Sequence, residues 1–262
     1  MAADYRLAPQ TRFPGILEDC KSAVDFVRSS PLFESATNNR VDSSKLIVSG
    51  SSAGGWLSLL AGTGIGYSAC GLERPVGISG VAAIYPITDL LDPFWTTKQH
   101  PVSYKGYMIG RKEVEPFIDP QDTKTASSPI GGKRDTFYSY MIQECVLFLF
   151  SPGHLCPPLI TLSDRVRRAI LGSLLLDGTN IPESEFSVAA NLKYMATIPT
   201  MYIIHGNGDD KVPHRQSTDV VNVLKVVGAQ VEYHEPDGLD HSFDDDPNCD
   251  MGSMYEFISR VF

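Results

Sequence analysis

Lys45-Leu46-Ile47-Val48-Ser49-Gly50-Ser51-Ser52-Ala53-Gly54-Gly55 decides the fold. An apolar run from Lys45 to Ser49 has the length and β-branched content of a buried strand, and the small, apolar residues after Ser52, up to about Ala61, have those of a helix. Between them lies Gly-x-Ser-x-Gly. A serine on so sharp a strand-to-helix turn is forced into strained backbone geometry, tolerates only small neighbours, and projects its hydroxyl into a cleft. The reading assigns that room to Gly50 and Gly54, and it aims the Ala53 N–H, at the start of the helix, toward a developing oxyanion.

Outward from this turn the chain alternates. Upstream, Leu17 to Ser29 is an expected helix with Ile16, Cys20, Ala23, Val24 and Val27 on one face, followed by a turn at Asn38-Asn39. Downstream, Gly80 to Tyr85 is a second apolar strand closed by Pro86. The C-terminal third repeats the theme: strand Thr200 to His205, amphipathic helix Arg215 to Val227, strand Gln230 to Glu235 and a last helix. Strands alternating with helices imply an α/β class with a mostly parallel, doubly wound sheet. The sequence is read as a single domain over residues 1–262, with an irregular, proline-rich insertion over 93–195 as a helical cap. Within it, Cys145 to Ile170 interrupts what reads as one helix, with halves Tyr138 to Glu144 and Leu171 to Leu175. That segment is an expected insertion, as from a retained intron.

Composition narrows the function. The net charge of -9 and the scattered lysines and arginines exclude a phosphate-binding surface and hence a nucleic-acid partner. No apolar run approaches the roughly 18 to 20 residues that span a bilayer. The odd number of cysteines, Cys20, Cys70, Cys145, Cys156 and Cys249, fits reduced thiols in a cytoplasmic protein, and the N-terminus has no secretory pattern. The sequence leaves the oligomeric state open.

A serine hydroxyl needs a base held by a carboxylate. Asp209 lies in His205-Gly206-Asn207-Gly208-Asp209-Asp210, leaving the end of an expected strand, and His241 lies in Gly238-Leu239-Asp240-His241-Ser242-Phe243, after the next one. The order Ser, Asp, His suits sites at successive strand ends. Asp210 is the alternative to Asp209. Of the other histidines, His205 reads as structural at a strand end, His214 as beginning a helix and His234 as alternating within a strand, while His100 and His154 fall in the irregular region. Asp244-Asp245-Asp246 lacks calcium-loop spacing and reads as a solvated loop, so no metal site is assigned. Phe94, Trp95, Tyr104, Tyr107 and Met108 could line an apolar pocket or be ordinary core.

Asp4-Tyr5-Arg6-Leu7-Ala8-Pro9, Phe13-Pro14, Glu18-Asp19, the Ser52 motif, Tyr85-Pro86 and the Asp209 and His241 loops together resemble the hormone-sensitive-lipase-like branch of the α/β-hydrolases. The resemblance implies hydrolysis of a small-molecule carboxylic ester without a cofactor, with Ser52, Asp209 and His241 as the triad and Ala53 as one oxyanion donor. Ser51 stands where that family usually has aspartate. The chain begins at the Asp-Tyr-Arg-Leu segment, so the His-Gly-Gly-Gly loop and the first strands of that family are not in it. It is accordingly read as a truncated gene model, a fragment or a degenerate relative, with an edge strand left open. An amide hydrolase of the same fold, related to prolyl-oligopeptidase-like domains, and a non-catalytic binding protein are the alternatives.

Overall fold

A computed structural model describes residues 1–38, 40–118, 134–144 and 170–262. The interrupting segment, with Cys145, Cys156 and His154, lies outside them. The elements are α1 (Gly15–Ser29), α2 (Pro31–Ala36), β1 (Leu46–Ser51), α3 (Ala53–Thr63), β2 (Ile78–Ile84), α4 (Arg111–Ile118), α5 (Asp135–Glu144), α6 (Ile170–Leu176), α7 (Val188–Leu192), β3 (Thr200–Ile204), α8 (Arg215–Val226), β4 (Val231–His234) and α9 (Gly252–Val261). The described strands form one sheet in the order β1-β2-β3-β4, with every pair parallel.

Alternation along the strands explains how both faces are covered. On β2 and β3, Ala82, Ile84, Tyr202 and Ile204 point to one side and pack with Phe243 and with Phe257 of α9. Val81 points to the other, where Gly62 of α3 lies against it. Val81, Ala82, Ala83, Met201, Tyr202 and Ile203 are all fully buried, so the two central strands read as continuous apolar runs, as strands of a parallel sheet covered on both faces do. Of these six, Tyr202 alone carries a polar side-chain group, and its hydroxyl is 2.7 Å from Ser253 Oγ on α9. The expected α/β fold with a parallel sheet is therefore present. β1 lies at one edge of the sheet and is largely half-buried.

The chain divides into two compact units. The first comprises Met1, Leu17–Asp89 and Ser184–Phe262 and holds the sheet; the second comprises Ala2–Ile16 and Leu90–Glu183. In the second, the Asp-Tyr-Arg-Leu-Ala-Pro segment is tied to helices far along the chain. Buried Arg134 donates to Ala8 O and to Gln10 Oε1, the latter at 2.6 Å. Arg12 Nη1 bonds Asp177 at 2.9 Å, and Phe13 N donates to Leu175 O. The buried Gln143 amide reproduces a strand-like exchange with Ile109, accepting from its N–H and donating to its carbonyl. The aromatic group weighed as a pocket lining is spread: Trp95 is buried, whereas Tyr107 and Met108 are about half exposed, at 51% and 50%.

Helix α8 shows the cost of its buried face most simply. Val220, Val221 and Leu224 are buried, and Val226 is 86% exposed. Leu224→Ala is expected to destabilise the protein by about 2–5 kcal/mol, through lost transfer energy and the cavity left behind. Val226→Ala should stay within about 0.5 kcal/mol. Urea melts of the two variants check this, and comparable losses would place the helix face wrongly.

Candidate active site

Ser52 sits between β1 and α3 with φ 54° and ψ -120°, a conformation disfavoured for any residue with a Cβ. Its backbone is held by its neighbours: Ser52 N donates to Ile84 O at 2.9 Å, and Ser52 O accepts from Trp56 N and Ile87 N. As the first residue of α3, Ala53 presents an N–H that has no acceptor within the helix, beside the positive end of the helix dipole.

The turn's requirement for small residues differs from the expectation in one respect. A Cβ on Gly50 would lie 2.4 Å from the backbone carbonyl of Gly54, so Gly50 is obligatory. A Cβ on Gly54 would meet nothing within 4 Å, and the second tight position is Gly55, 3.0 Å from Gly50 O. The sequence reading assigned this role to Gly54 because it is the second glycine of the motif, but the helix turns the residue after Ala53 outward and the next one inward.

The fold brings Asp209 and His241 together. His241 Nδ1 is 2.7 Å from Asp209 Oδ2, with the Asp209 side chain fully buried and that of His241 at 8% exposure. It is Asp209, not Asp210, that meets the imidazole; the Asp210 N–H instead bonds Asp240 Oδ1. The remaining acceptor positions of Asp209 are also filled: Oδ1 accepts from Lys211 N and Val212 N, and Oδ2 from His205 Nε2 at 3.1 Å. Burial pushes this carboxyl up, but the bonds from His205 and His241, the His241 charge and the Val212 N–H together hold it well below the usual carboxylate range. The two loops lie backbone against backbone, since Gly208 N donates to Leu239 O and a Cβ on Gly206 would fall 2.2 Å from that same oxygen.

Two further residues surround the pair. Tyr85, immediately after β2, lays its ring 4.4 Å from the His241 ring and edge-on to Phe243, and its hydroxyl donates to Asp244. Burial and the bond to Asp244 push the Tyr85 phenol up, while the nearby Ser51 and Ser242 hydroxyls act the other way. In the acidic run that reads as a solvated loop, Asp245 and Asp246 are exposed, while Asp244 is half-buried and accepts the Tyr85 hydroxyl. His205 is fully buried at the end of β3, as its structural reading requires, yet it touches Asp209. The His-x-x-x-Asp spacing in a glycine-rich loop, and tyrosine followed by proline at a strand end, are the signals that could have drawn both into the site. Asp209, Asp210 and Asp240 offer oxygens within 4.8 Å of one another, but Asp209 is fully engaged and Asp240 Oδ1 accepts from the His241 and Asp210 amides. The three described cysteines, Cys20, Cys70 and Cys249, are free and half-buried, and burial pushes the Cys20 thiol up to about 12.

The BD-FAE family profile matches residues 1–131. The chain belongs to the BD-FAE family. Its fold is that of the α/β-hydrolases: an α/β-hydrolase superfamily protein from Enterococcus faecalis superposes with a TM-score of 0.57 at 19% identity, over 98% of this chain and 76% of that one. A Staphylococcus aureus protein of unknown function gives 0.63 at 19% identity over the same shares, and carboxyl esterase 2 of Tuber melanosporum gives 0.53 at 18% over 98% and 65%. Among curated proteins, the non-reducing polyketide synthase pkbA of Emericella nidulans is 26% identical over 297 residues, covering 100% of this chain and 11% of that protein. Methylphloroacetophenone synthase of Cladonia uncialis is 25% identical over 99% of this chain and 11% of its own length. This chain thus spans about a tenth of the curated relatives it matches. Among its described residues no helix is long and apolar enough to cross a membrane.

Two expectations test the site's construction. Gly50→Ala should abolish cooperative melting or lower stability by more than about 3 kcal/mol, because backbone faces backbone with no side chain to yield, whereas Gly54→Ala should fold normally; equal melts for the pair would refute the assignment. Asp209→Asn tests the carboxylate. A carboxyl whose folded-state affinity for protons is lowered stabilises the fold above its ordinary value of 3.8, and that contribution is lost as the pH falls further. The variant should therefore be less stable than the parent at neutral pH, and the gap should narrow below about pH 4. A gap constant with pH would mean the charge contributes nothing.

Proposed function

We propose that this domain hydrolyses carboxylic esters through an acyl-enzyme, with Ser52 as nucleophile, His241 as general base, Asp209 as the orienting carboxylate and the Ala53 N–H as an oxyanion donor. The observation carrying the reading is the 2.7 Å bond from His241 Nδ1 to an Asp209 carboxylate that is itself saturated with donors. A proton fixed on Nδ1 leaves Nε2 as the basic nitrogen. Ser52 is linked to the same strand end, since its N–H bonds Ile84 while the adjacent Tyr85 ring packs on His241.

In this mechanism His241 Nε2 takes the Ser52 Oγ proton as the oxygen attacks the ester carbonyl. The tetrahedral oxyanion is met by Ala53 N–H and the N-terminal end of α3. Collapse breaks the bond to the alcohol oxygen, which leaves with the proton from His241. Water then attacks the acyl-enzyme, passing its proton to His241, and the acid departs as that proton returns to Ser52.

The likeness of this chain to about a tenth of non-reducing polyketide synthases favours a second reading, in which the acyl group is a polyketide chain presented as an activated thioester. The same steps apply, with the bond to sulfur breaking and a thiol leaving with the proton from His241. Purified protein should turn over p-nitrophenyl acetate and butyrate, and Ser52→Ala should lose both turnover and fluorophosphonate labelling. Labelling that survives the substitution refutes Ser52. Higher kcat/KM on acyl thioesters than on matched oxygen esters would select the second reading, preference for amides would select a peptidase-like one, and a folded, unlabelled protein would point to a binding role.

A further inference from the structure

We infer that His205 is a positioning residue for the hydrolytic site, acting through Asp209, and that Ser217 sets its tautomer. This rests on the assignment of Asp209 and His241 given above. His205 Nε2 lies 3.0 Å from Val212 O and 3.1 Å from Asp209 Oδ2. A backbone carbonyl can only accept, so Nε2 carries the proton and shares it with both oxygens. Its other nitrogen, Nδ1, lies 2.7 Å from Ser217 Oγ, and a neutral ring can only accept there, so the serine hydroxyl donates. Ser217 is buried in the first half of α8 and His205 at the end of β3, so the ring is fixed by one element and its proton is aimed by another.

The consequence falls on Asp209. Oδ1 is held by two amides of its own loop, and these alone leave the carboxylate free to tilt Oδ2. His205 supplies a donor to Oδ2 from the strand end, so Oδ2 is gripped on one side by His205 and on the other by His241, which bonds it at 2.7 Å. With every acceptor position occupied by an N–H, Asp209 can face His241 only as an acceptor, and His241 can face it only through a protonated Nδ1. Ser217, His205 and Asp209 have the residue types of a triad, but Ser217 and His205 are both fully buried, so this second set cannot meet a substrate.

The test uses two amides that differ in reach. Gln at 205 extends to the position of Nε2 and keeps a donor for Asp209, whereas Asn stops near Nδ1 and keeps only the contact with Ser217. His205→Asn is expected to lower kcat about ten- to a hundredfold with KM within about twofold, the scale of one lost hydrogen bond to a charged group. His205→Gln should remain within about threefold of the parent. The downfield proton resonance of His241 Nδ1 should persist in the Gln variant and broaden or disappear in the Asn variant, a change that a merely structural role would not produce. An Asn variant with unaltered kcat, or a Gln variant as impaired as the Asn one, overturns the proposal. Should the Asn variant not melt cooperatively, Ser217→Ala decides: a threefold or greater fall in kcat at constant KM supports it, and unchanged kcat overturns it. Failure of the underlying assignment appears separately, as turnover or labelling that survives Ser52→Ala. If the parent itself shows no turnover, the His241 resonance in the Gln and Asn variants decides.

Discussion

The backbone at Ser52 is the constraint on which the rest of the site depends. A residue with a side chain at φ 54° and ψ -120° is held against a cost of order 1–3 kcal/mol, and it persists only because the surroundings leave the chain no other course. β1 and α3 fix the directions of entry and exit, the bond from Ser52 N to Ile84 O pins the turn to β2, and the backbone of Gly54 rests where a side chain on Gly50 would have to be. The strain serves placement: it sets Ser52 at the point where α3 and its dipole begin.

The opposite part of the site is made by hydrogen bonding. Asp209 is a buried anion, which is tolerable only because four N–H groups surround it, and each of those groups comes from an element that the sheet or its loops hold in place. The strained serine and the saturated carboxylate are thus complementary: one is placed by exclusion of alternatives, the other by satisfaction of every acceptor. Tyr85 joins them, attached through its backbone to Ile204 O and packed through its ring on His241.

How much of this could be read from the residues depended on how local the cause was. β2, β3 and α8 follow from runs and periodicities within a few residues, and the Ser, Asp and His motifs carry their own turn chemistry, so these emerged directly. The roles of Gly55, Asp244 and His205 depend on partners remote in the chain or on the exact pitch of a helix. The Gly55 contacts include Ile84, Asp244 takes its bond from Tyr85, and His205 is defined as much by Ser217 as by Asp209. A pattern of residue types cannot reveal which of two adjacent glycines faces inward. The Asp-Tyr-Arg-Leu-Ala-Pro segment was legible as part of the family resemblance, while the bonds of Ala8 to Arg134 and of Arg12 to Asp177 were not.

The middle seam of the sheet is unlike the other two in how the chain reaches it. Ile84 pairs with Ile204, whereas β1 is followed by β2, and β3 by β4, after a single helical crossover. Closing that seam therefore carries the largest chain entropy in the sheet, but the entropy grows only logarithmically with the length enclosed. Doubling the intervening segment adds about 0.6 kcal/mol. The connection between these two strands is consequently where the architecture can accept long extra sequence at least thermodynamic cost, and where related chains are free to diverge in size while the Ser52, Asp209 and His241 loops stay on the same four strands.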